Sequence, residues 1–241
     1  MTTDPMATEP MTPDQCVEQA LALLITSLSA AELDALEPDA MHHIVLTGGG
    51  AGMSITSRLQ EVAKALSPRL WSNVHMWWGD ERFVPIDSEL RNDHNVEQLL
   101  GEFYIAENVH RAPSTDDCHS VFEAAHIYGN ELARFGSKNL STPQFDVVLL
   151  GLGPDGHVAS LFPHSPLITD TGVCFGLENS PKPPPQRITM SFSTLNCSTT
   201  TVILASGAAK DQARERLTTR SGSIQQTPAL GISAREIVIL G

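Results

Sequence analysis

The chain has 241 residues, a formal net charge of −13 and a hydrophobic fraction of 41%. That length suits one large α/β domain or two small ones, and the hydrophobic fraction is sufficient for a buried core. The acidic balance argues against a general nucleic-acid binder, which needs a basic face to neutralise phosphates. It does not exclude an anionic small molecule, because a few converging Arg and Lys side chains create a local positive site.

The cysteines and histidines give no sign of a metal or redox site. Cys16, Cys118, Cys174 and Cys197 are scattered without a C-x-x-C pair, and the histidines show no H-E-x-x-H spacing. No apolar run approaches the roughly 20 residues of a membrane span, and the N-terminus lacks a charged region followed by an apolar core. We therefore expect a cytoplasmic globular protein with no metal and no membrane or nucleic-acid partner.

Helix and strand patterns alternate along the chain after residues 1–11, which we predict to form a disordered tail. Helices are predicted over 12–28, 53–66, 92–100, 116–135, 157–162 and 208–217. Strands are predicted over 43–47, 74–78, 145–150, 187–192, 200–205 and 236–240. This alternation is typical of an α/β fold with a doubly wound, mostly parallel sheet and helices on both faces, as in Rossmann-like proteins. No repeat or strong boundary interrupts it, so we predict a single domain over residues 12–241.

The segment after the predicted strand 145–150 carries the most specific functional signal. Gly151, Gly153 and Gly156 allow a tight turn, and His157 follows directly. Ligands of open α/β sheets bind beyond the carboxyl ends of the strands, so this histidine is placed where chemistry usually occurs. A lone histidine is also common in a structural role, and at this point both roles are open.

A glycine-rich turn, Thr47-Gly-Gly-Gly-Ala-Gly-Met-Ser54, joins the first predicted strand to a helix. Free N–H groups beside a helix N-terminus bind anions, which makes Gly49 and Gly50 candidate phosphate-binding residues. The turn lacks the lysine of a Walker loop and the third glycine of a dinucleotide fingerprint, where Ile55 stands. The pattern favours a phosphate site without a nucleotide cofactor, and a turn with no ligand is the alternative.

Polar residues also follow the second predicted strand. Arg82 could bind a phosphate or carboxylate or stabilise an oxyanion. Asp80 and Glu81 could act as acid/base groups or form a structural ion pair that aims Arg82. Asn92 reads as a helix cap first and a substrate ligand second.

Two later cations, Arg187 and Lys210, stand at strand edges that border the same predicted cleft. Arg187 opens the strand after a proline-rich loop, and Lys210 lies in the turn after the strand 200–205. Either could instead be a solvated surface charge, which is the usual state of Arg and Lys.

Three blocks of this sequence together resemble the 6-phosphogluconolactonase family. Trp-Gly-Asp-Glu-Arg-Phe-Val-Pro at 78–85 resembles its W-x-D-E-R-x-V-P block, and residues 151–163 resemble its G-x-G-x-D-G-H-x-x-S-L-F-P signature. Residues 180–190 resemble its K-P-P-x-R-I-T segment. The glycine loop departs from the S-G-G-S/T-x-P form of that family, which leaves its individual phosphate contacts open.

The resemblance implies a carboxylic ester hydrolase that opens the δ-lactone of 6-phosphogluconate in the oxidative pentose phosphate pathway, without a cofactor. His157 would be the general base that activates water, a role that suits a neutral imidazole. Asp155 would orient the imidazole or position the turn, and Arg82 would stabilise the anion near the lactone.

The phosphosugar lactone would be the small-molecule partner of a monomer or weak homo-oligomer. Gly49, Gly50, Arg187 and Lys210 would hold its phosphate. Asp80 and Asn92 are further candidate substrate-binding residues.

Two other functions stay open on the sequence. Glucosamine-6-phosphate deaminases share this layout but read D-G-H-I-A-F-N-E-P, whereas this chain has Leu161 and Phe162 where that segment has Asn and its acid. A non-catalytic sugar-phosphate-binding protein is the second alternative, although a pure binder has no need of the general base His157.

Overall fold

The computed structural model describes residues 10–34, 40–136 and 140–241. Its strands are β1 (His42–Leu46), β2 (Val74–Trp78), β3 (Asp80–Arg82), β4 (Phe145–Gly151), β5 (Cys174–Leu177), β6 (Arg187–Met190), β7 (Ser198–Leu204) and β8 (Glu236–Leu240). Its α-helices are α1 (Pro13–Asp34), α2 (Gly49–Ser57), α3 (Leu59–Ala65), α4 (Pro68–Trp71), α5 (Val96–Leu100), α6 (Val121–Arg134), α7 (Phe192–Leu195) and α8 (Asp211–Thr218). Short 3-10 turns cover 101–103, 106–108, 166–169, 208–210 and 228–231.

In the described part of the chain, the main sheet has the order β2-β1-β4-β7-β8, with parallel neighbours throughout. Apolar runs fill its central strands because both faces are covered. Along β4, Val147 and Leu149 pack in one hydrophobic cluster with α1, α2 and α3, while Val148 and Leu150 pack in a second cluster with α6 and α8. The predicted doubly wound α/β fold is therefore confirmed.

A smaller antiparallel sheet of order β3-β6-β5 lies beside the main sheet. The predicted strand 187–192 belongs to it, as β6, and not to the parallel sheet. Short β3 and β5 were not predicted, because β3 is polar and β5 has only four residues, one of them Gly176. Their pairing is set by contacts between distant segments, such as Asp80 with Thr189.

Helix α1 is long and apolar enough over Pro13–Leu33 to cross a membrane by length and composition alone. The expectation that no apolar run approaches a membrane span is therefore wrong on that criterion. Residues at helical spacing, including Val17, Leu21, Leu24 and Leu28, are buried in the cluster formed with the main sheet. That packing is typical of a core helix of a globular domain. Most of the predicted tail lies outside the described residues.

Candidate active site

A cavity of about 260 Å³ opens at the carboxyl ends of β1 and β4. Its lining comes from the loops after these strands, from the small sheet and from the turn before α8: Thr47, Gly48, Gly49, Gly50, Ala51, Gly52, Asp80, Arg82, Gly151, Leu152, Gly153, Pro154, His157, Ala159, Arg187 and Lys210. The topology produces this meeting, because parallel strands bring their carboxyl ends to one edge of the sheet. Of the nine predicted site residues, Asp155 and Asn92 are not part of this lining.

The segment that carries His157 is a series of turns, and the predicted helix over 157–162 is wrong. The N–H of Gly153 donates to the carbonyl of His157 at 2.9 Å, which closes a tight loop. Ala159 then has a φ of +49°, in the left-handed region that an α-helix of L-residues avoids. Val158 and Leu161 form an isolated antiparallel bridge instead.

Asp155 and His157 form a hydrogen-bonded pair through Oδ1 and Nδ1. An ionised Asp155 can only accept, so this contact places the proton on Nδ1 and leaves Nε2 as the basic nitrogen. Burial lowers the pKa of His157, although the Asp155 carboxylate opposes that shift. The imidazole is therefore unprotonated at neutral pH, which is the state a general base requires.

Gly153 is needed beside it, because a Cβ there would overlap the imidazole ring.

Arg82 and Arg187 bring positive charge to the cavity from the small sheet. Nη1 of Arg82 donates to the Leu90 carbonyl at 2.7 Å, while its buried Nε has no partner among the described residues. Arg187 is 5% exposed, and its Nη1 lies 3.6 Å from Oδ2 of Asp80. Ser160 donates to the same Asp80 oxygen at 2.7 Å. Asp80 thus fixes Arg187 and the histidine segment relative to each other.

The glycine loop supplies backbone donors on the other side of the cavity. Helix α2 begins at Gly49, so its first N–H groups point out of the helix beside the cavity. Gly49 has a φ of +73°, a conformation that glycine adopts without strain. The N–H of Gly151 donates to Oγ1 of Thr47 at 3.2 Å and links this loop to the loop after β4.

Lys210 completes the cationic lining from the 3-10 turn before α8. Its Nζ donates to the Leu204 carbonyl at 3.2 Å, and burial lowers its pKa below the usual value of a lysine. With Arg82 and Arg187 it gives this cavity positive charge in a chain of net charge −13. Such a site favours an anionic ligand.

Asn92 and Glu81 occupy positions that the sequence did not predict. Asn92 is 1% exposed and lies ahead of α5, whose N-cap is Asn95, so the predicted cap is wrong. Its Nδ2 donates to the Asp80 carbonyl at 2.7 Å, and its side chain lies against Gly48 behind the glycine loop. Glu81 is buried and accepts backbone N–H groups of Arg82 and Asn92, each at 2.7 Å. It therefore organises the loop and does not pair with the Arg82 guanidinium.

Comparison with known proteins places the chain among enzymes of sugar-phosphate metabolism. A family model described as glucosamine-6-phosphate isomerases/6-phosphogluconolactonase matches residues 12–239. The chain belongs to this family. A protein of Mycobacterium leprae named 6-phosphogluconolactonase is 39% identical over 198 residues, which cover 80% of this chain and 76% of that protein. One of Streptomyces coelicolor with the same name is 36% identical over 225 residues, covering 90% and 84% of the two chains.

Solved structures of the family have the same fold. The crystal structure of 6-phosphogluconolactonase from Thermotoga maritima matches with a TM-score of 0.76 and 25% identity, covering 93% of this chain and 94% of that one. The 6-phosphogluconolactonase from Trypanosoma cruzi matches with a TM-score of 0.80 at 22% identity, covering 100% and 95%. At that lower identity the likeness shows the fold alone.

Two residues that connect the loops of the cavity were not predicted from the sequence. Ser160 and Thr47 are small hydroxyl residues whose hydrogen bonds join separate loops of the cavity. Ser160 lies inside the signature at 151–163, and Thr47 opens the glycine loop, so both stood within quoted motifs. Only the approach of two distant loops shows what they do.

Proposed function

We propose that this chain hydrolyses 6-phospho-D-glucono-1,5-lactone to 6-phospho-D-gluconate, the reaction of the oxidative pentose phosphate pathway that its relatives' names indicate. The observation that supports this most directly is the Asp155–His157 pair at a cavity that also holds a helix N-terminus and cationic side chains. An ester carbonyl needs an activated water, and the phosphate of the substrate needs an anion site.

In the proposed mechanism, Nε2 of His157 takes a proton from water as the oxygen attacks the lactone carbonyl. Asp155 keeps the proton of the resting imidazole on Nδ1 and stabilises the imidazolium that forms. Arg82, whose buried Nε is unpartnered among the described residues, stabilises the oxyanion of the tetrahedral intermediate. The imidazolium then returns its proton to the ring oxygen as the C–O bond breaks.

Binding of the phosphate away from the reacting carbon would orient the lactone. We assign that binding to the N–H groups at Gly49 and Gly50 and to Arg187 and Lys210. Asp80 lines the cavity, but its Oδ2 is engaged by Arg187 and Ser160, so we assign it chiefly to positioning. Asn92 lies behind the glycine loop and supports its position. Fixing the substrate at its remote end lowers the entropic barrier at the lactone.

The deaminase alternative is disfavoured by Phe162. This side chain is 3% exposed, and its ring centroid lies 4.7 Å from that of His157, where the deaminase segment has an acid. The cytoplasmic location, the monomeric or weakly oligomeric state, the absence of a cofactor and the single domain over 12–241 stay predictions.

A lactonase assay on the purified protein tests the proposed function. Freshly generated 6-phosphogluconolactone is mixed with enzyme, the spontaneous ring opening is subtracted, and ammonia release from glucosamine-6-phosphate is measured in parallel. We expect enzyme-dependent lactone hydrolysis and no ammonia. Ammonia release without lactone hydrolysis would assign the deaminase, and binding of 6-phosphogluconate with neither activity would assign a binding protein.

A further inference from the structure

Lys182 stands beside the Asp155–His157 pair. Its Nζ lies 3.2 Å from Nδ1 of His157 and 3.7 Å from Oδ1 of Asp155. The same ammonium lies 5.9 Å from the centroid of the Phe162 ring. In the described part of the chain, the lining of the cavity includes His157 but not Lys182. The Lys182 ammonium lies within 3.7 Å of both side chains of the pair and is thus placed to act on it.

The loop that carries Lys182 is fixed by Arg187. Nη2 of this guanidinium donates to the carbonyls of Lys182 and Pro183 at 3.3 and 3.0 Å, and Nε donates to that of Pro184 at 3.1 Å. Arg187 also lines the cavity and lies near Asp80. The buried guanidinium of Arg187 thus contacts both the cavity and the backbone of the loop that carries Lys182. These contacts hold the backbone of Lys182 in place before any ligand binds.

A cation at this position makes protonation of the His157 imidazole less favourable. Burial and the Lys182 ammonium lower the pKa of His157, whereas the Asp155 carboxylate favours the protonated ring. An ammonium has donors only, so it cannot accept the Nδ1 proton, and at 3.7 Å it forms an ion pair with the Asp155 carboxylate. With Nδ1–H donating to Asp155 and the ammonium ion-paired with the same carboxylate, Nε2 is the unprotonated nitrogen.

We propose that Lys182 is a positioning residue that holds the Asp155–His157 pair in its base form, with the proton on Nδ1 and with Nε2 free to take a proton from water. The inference rests on the proposed function, because it gives His157 the role of general base. The other charged groups of the site are Asp80, on β3, and Arg82, Arg187 and Lys210 in the cavity lining. Asp80 favours the imidazolium, so Lys182 offsets two carboxylates.

The dependence of kcat/KM on pH tests this role. Without the ammonium, protonation of His157 becomes easier, so the acidic limb of the profile moves to higher pH. We expect Lys182→Met to lose about three- to tenfold more activity on the acidic limb than on the plateau, the scale expected for one nearby charge. Lys182→Arg keeps a cation and should retain the wild-type profile. Lys64→Met, at an exposed lysine, is the matched control.

Two patterns would overturn the proposal. A loss of equal size at every pH would mean that Lys182 contacts the substrate or supports the loop only. A profile of Lys182→Met that coincides with that of the wild type would mean that the ammonium has no influence on the base.

An NMR titration of the His157 imidazole separates this inference from the proposed function. The signal is assigned by its loss in His157→Gln, and its midpoint is compared between wild type and Lys182→Met without substrate. A higher midpoint in Lys182→Met supports the coupling whether or not the protein opens lactones. An unchanged midpoint in an active lactonase would remove Lys182 from the mechanism and leave the lactonase function standing.

Discussion

His157 is the residue on which the proposed chemistry depends, and its surroundings serve two separate purposes. Burial keeps the imidazole unprotonated by lowering its pKa, and the Asp155 carboxylate fixes which nitrogen carries the proton. Either effect alone would leave a poorer base. Burial without Asp155 would leave the tautomer free, and Asp155 without burial would favour the imidazolium.

Replacement of His157 by glutamine should lower kcat by at least about a hundredfold, the usual contribution of a general base. The glutamine amide can still donate to Asp155, so we expect the same circular dichroism and thermal unfolding as in the wild type. The measurement is steady-state lactone hydrolysis with spontaneous opening subtracted. Turnover near the wild-type rate in a folded His157→Gln protein would contradict the assignment.

Lys210 should act on binding of the phosphate more than on the chemical step. A charge-assisted contact contributes roughly 1.5–3 kcal/mol, so Lys210→Ala should weaken binding of the phosphorylated lactone by about ten- to a hundredfold. The same variant should treat an unphosphorylated lactone much as the wild type does. Lys64→Ala, at an exposed lysine, is the control. An equal loss on both lactones would place Lys210 at the lactone ring or in a structural role.

At the level of elements, β1, β2 and α6 enclose a cluster of histidines at the end of the sheet opposite the site. His43 and His75 are buried on adjacent strands, and His110 joins them from the following loop with Nε2 2.9 Å from Nδ1 of His75. Trp77 stacks on His110 with ring centroids 3.8 Å apart and donates from Nε1 to His43 at 3.1 Å. These aromatic contacts hold the strand ends together.

Burial, together with mutual repulsion of the charged forms, lowers the pKa of His43 to about 3 and that of His110 to about 4. Glu131 of α6 faces His110 at 3.2 Å and opposes the shift, while Arg134 adds to it. The pKa of a histidine in the unfolded chain is about 6.5, so below that pH the unfolded chain binds more protons than the folded one.

The free energy of unfolding should therefore fall as the pH drops from about 6.5 towards about 4, by about 1.4 kcal/mol per pH unit for each histidine involved. His43→Gln keeps an acceptor for the Trp77 N–H and removes one titrating group. The change in its free energy of unfolding with pH should therefore be smaller by about 1.4 kcal/mol per pH unit. The measurement is urea unfolding across this pH range. His119→Gln, at an exposed histidine, should retain the wild-type slope. Equal slopes for all three proteins would mean that His43 is not linked to unfolding.

At the scale of the whole molecule, the acidic chain concentrates positive charge at one place. Arg82, Arg187 and Lys210 come from different segments of the chain and line the same cavity, so the fold gathers positive charge there in a protein of net charge −13. The surrounding negative charge does not cancel it, because surface charges more than about 8 Å away are screened at physiological salt.

Activity should not depend on a divalent ion. Within the described residues, no group of three or more His, Cys, Asp or Glu side chains is arranged to hold a metal. Water activated by an imidazole needs no Lewis acid. Enzyme treated exhaustively with a chelator should keep its full lactone hydrolysis in chelator-containing buffer. Loss of activity that one particular divalent ion restores would contradict this, and His157 would have to be reassigned as a ligand.

The parallel core, the family resemblance and seven of the nine residues proposed for the cavity could be predicted from the sequence. The predicted strands 74–78 and 236–240 have the observed bounds, because each is a mostly apolar run that ends at a glycine. The carboxyl ends of parallel strands share one edge of the sheet. For that reason the glycine loop, Arg82 and His157 could be assigned to one cleft without coordinates.

The arrangement of the site residues against one another depends on contacts between separate segments and was not predicted. The helix predicted over 157–162 was wrong because loop hydrogen bonds and the conformation of Ala159 override local propensity. The pairing of β3 with β6 and the contact of Asp80 with Arg187 join segments about a hundred residues apart in the chain. The contact of Lys182 with His157 joins two loops 25 residues apart. Residue types and spacing predict which groups reach the cleft, whereas distances between their atoms follow from packing, which local sequence does not encode.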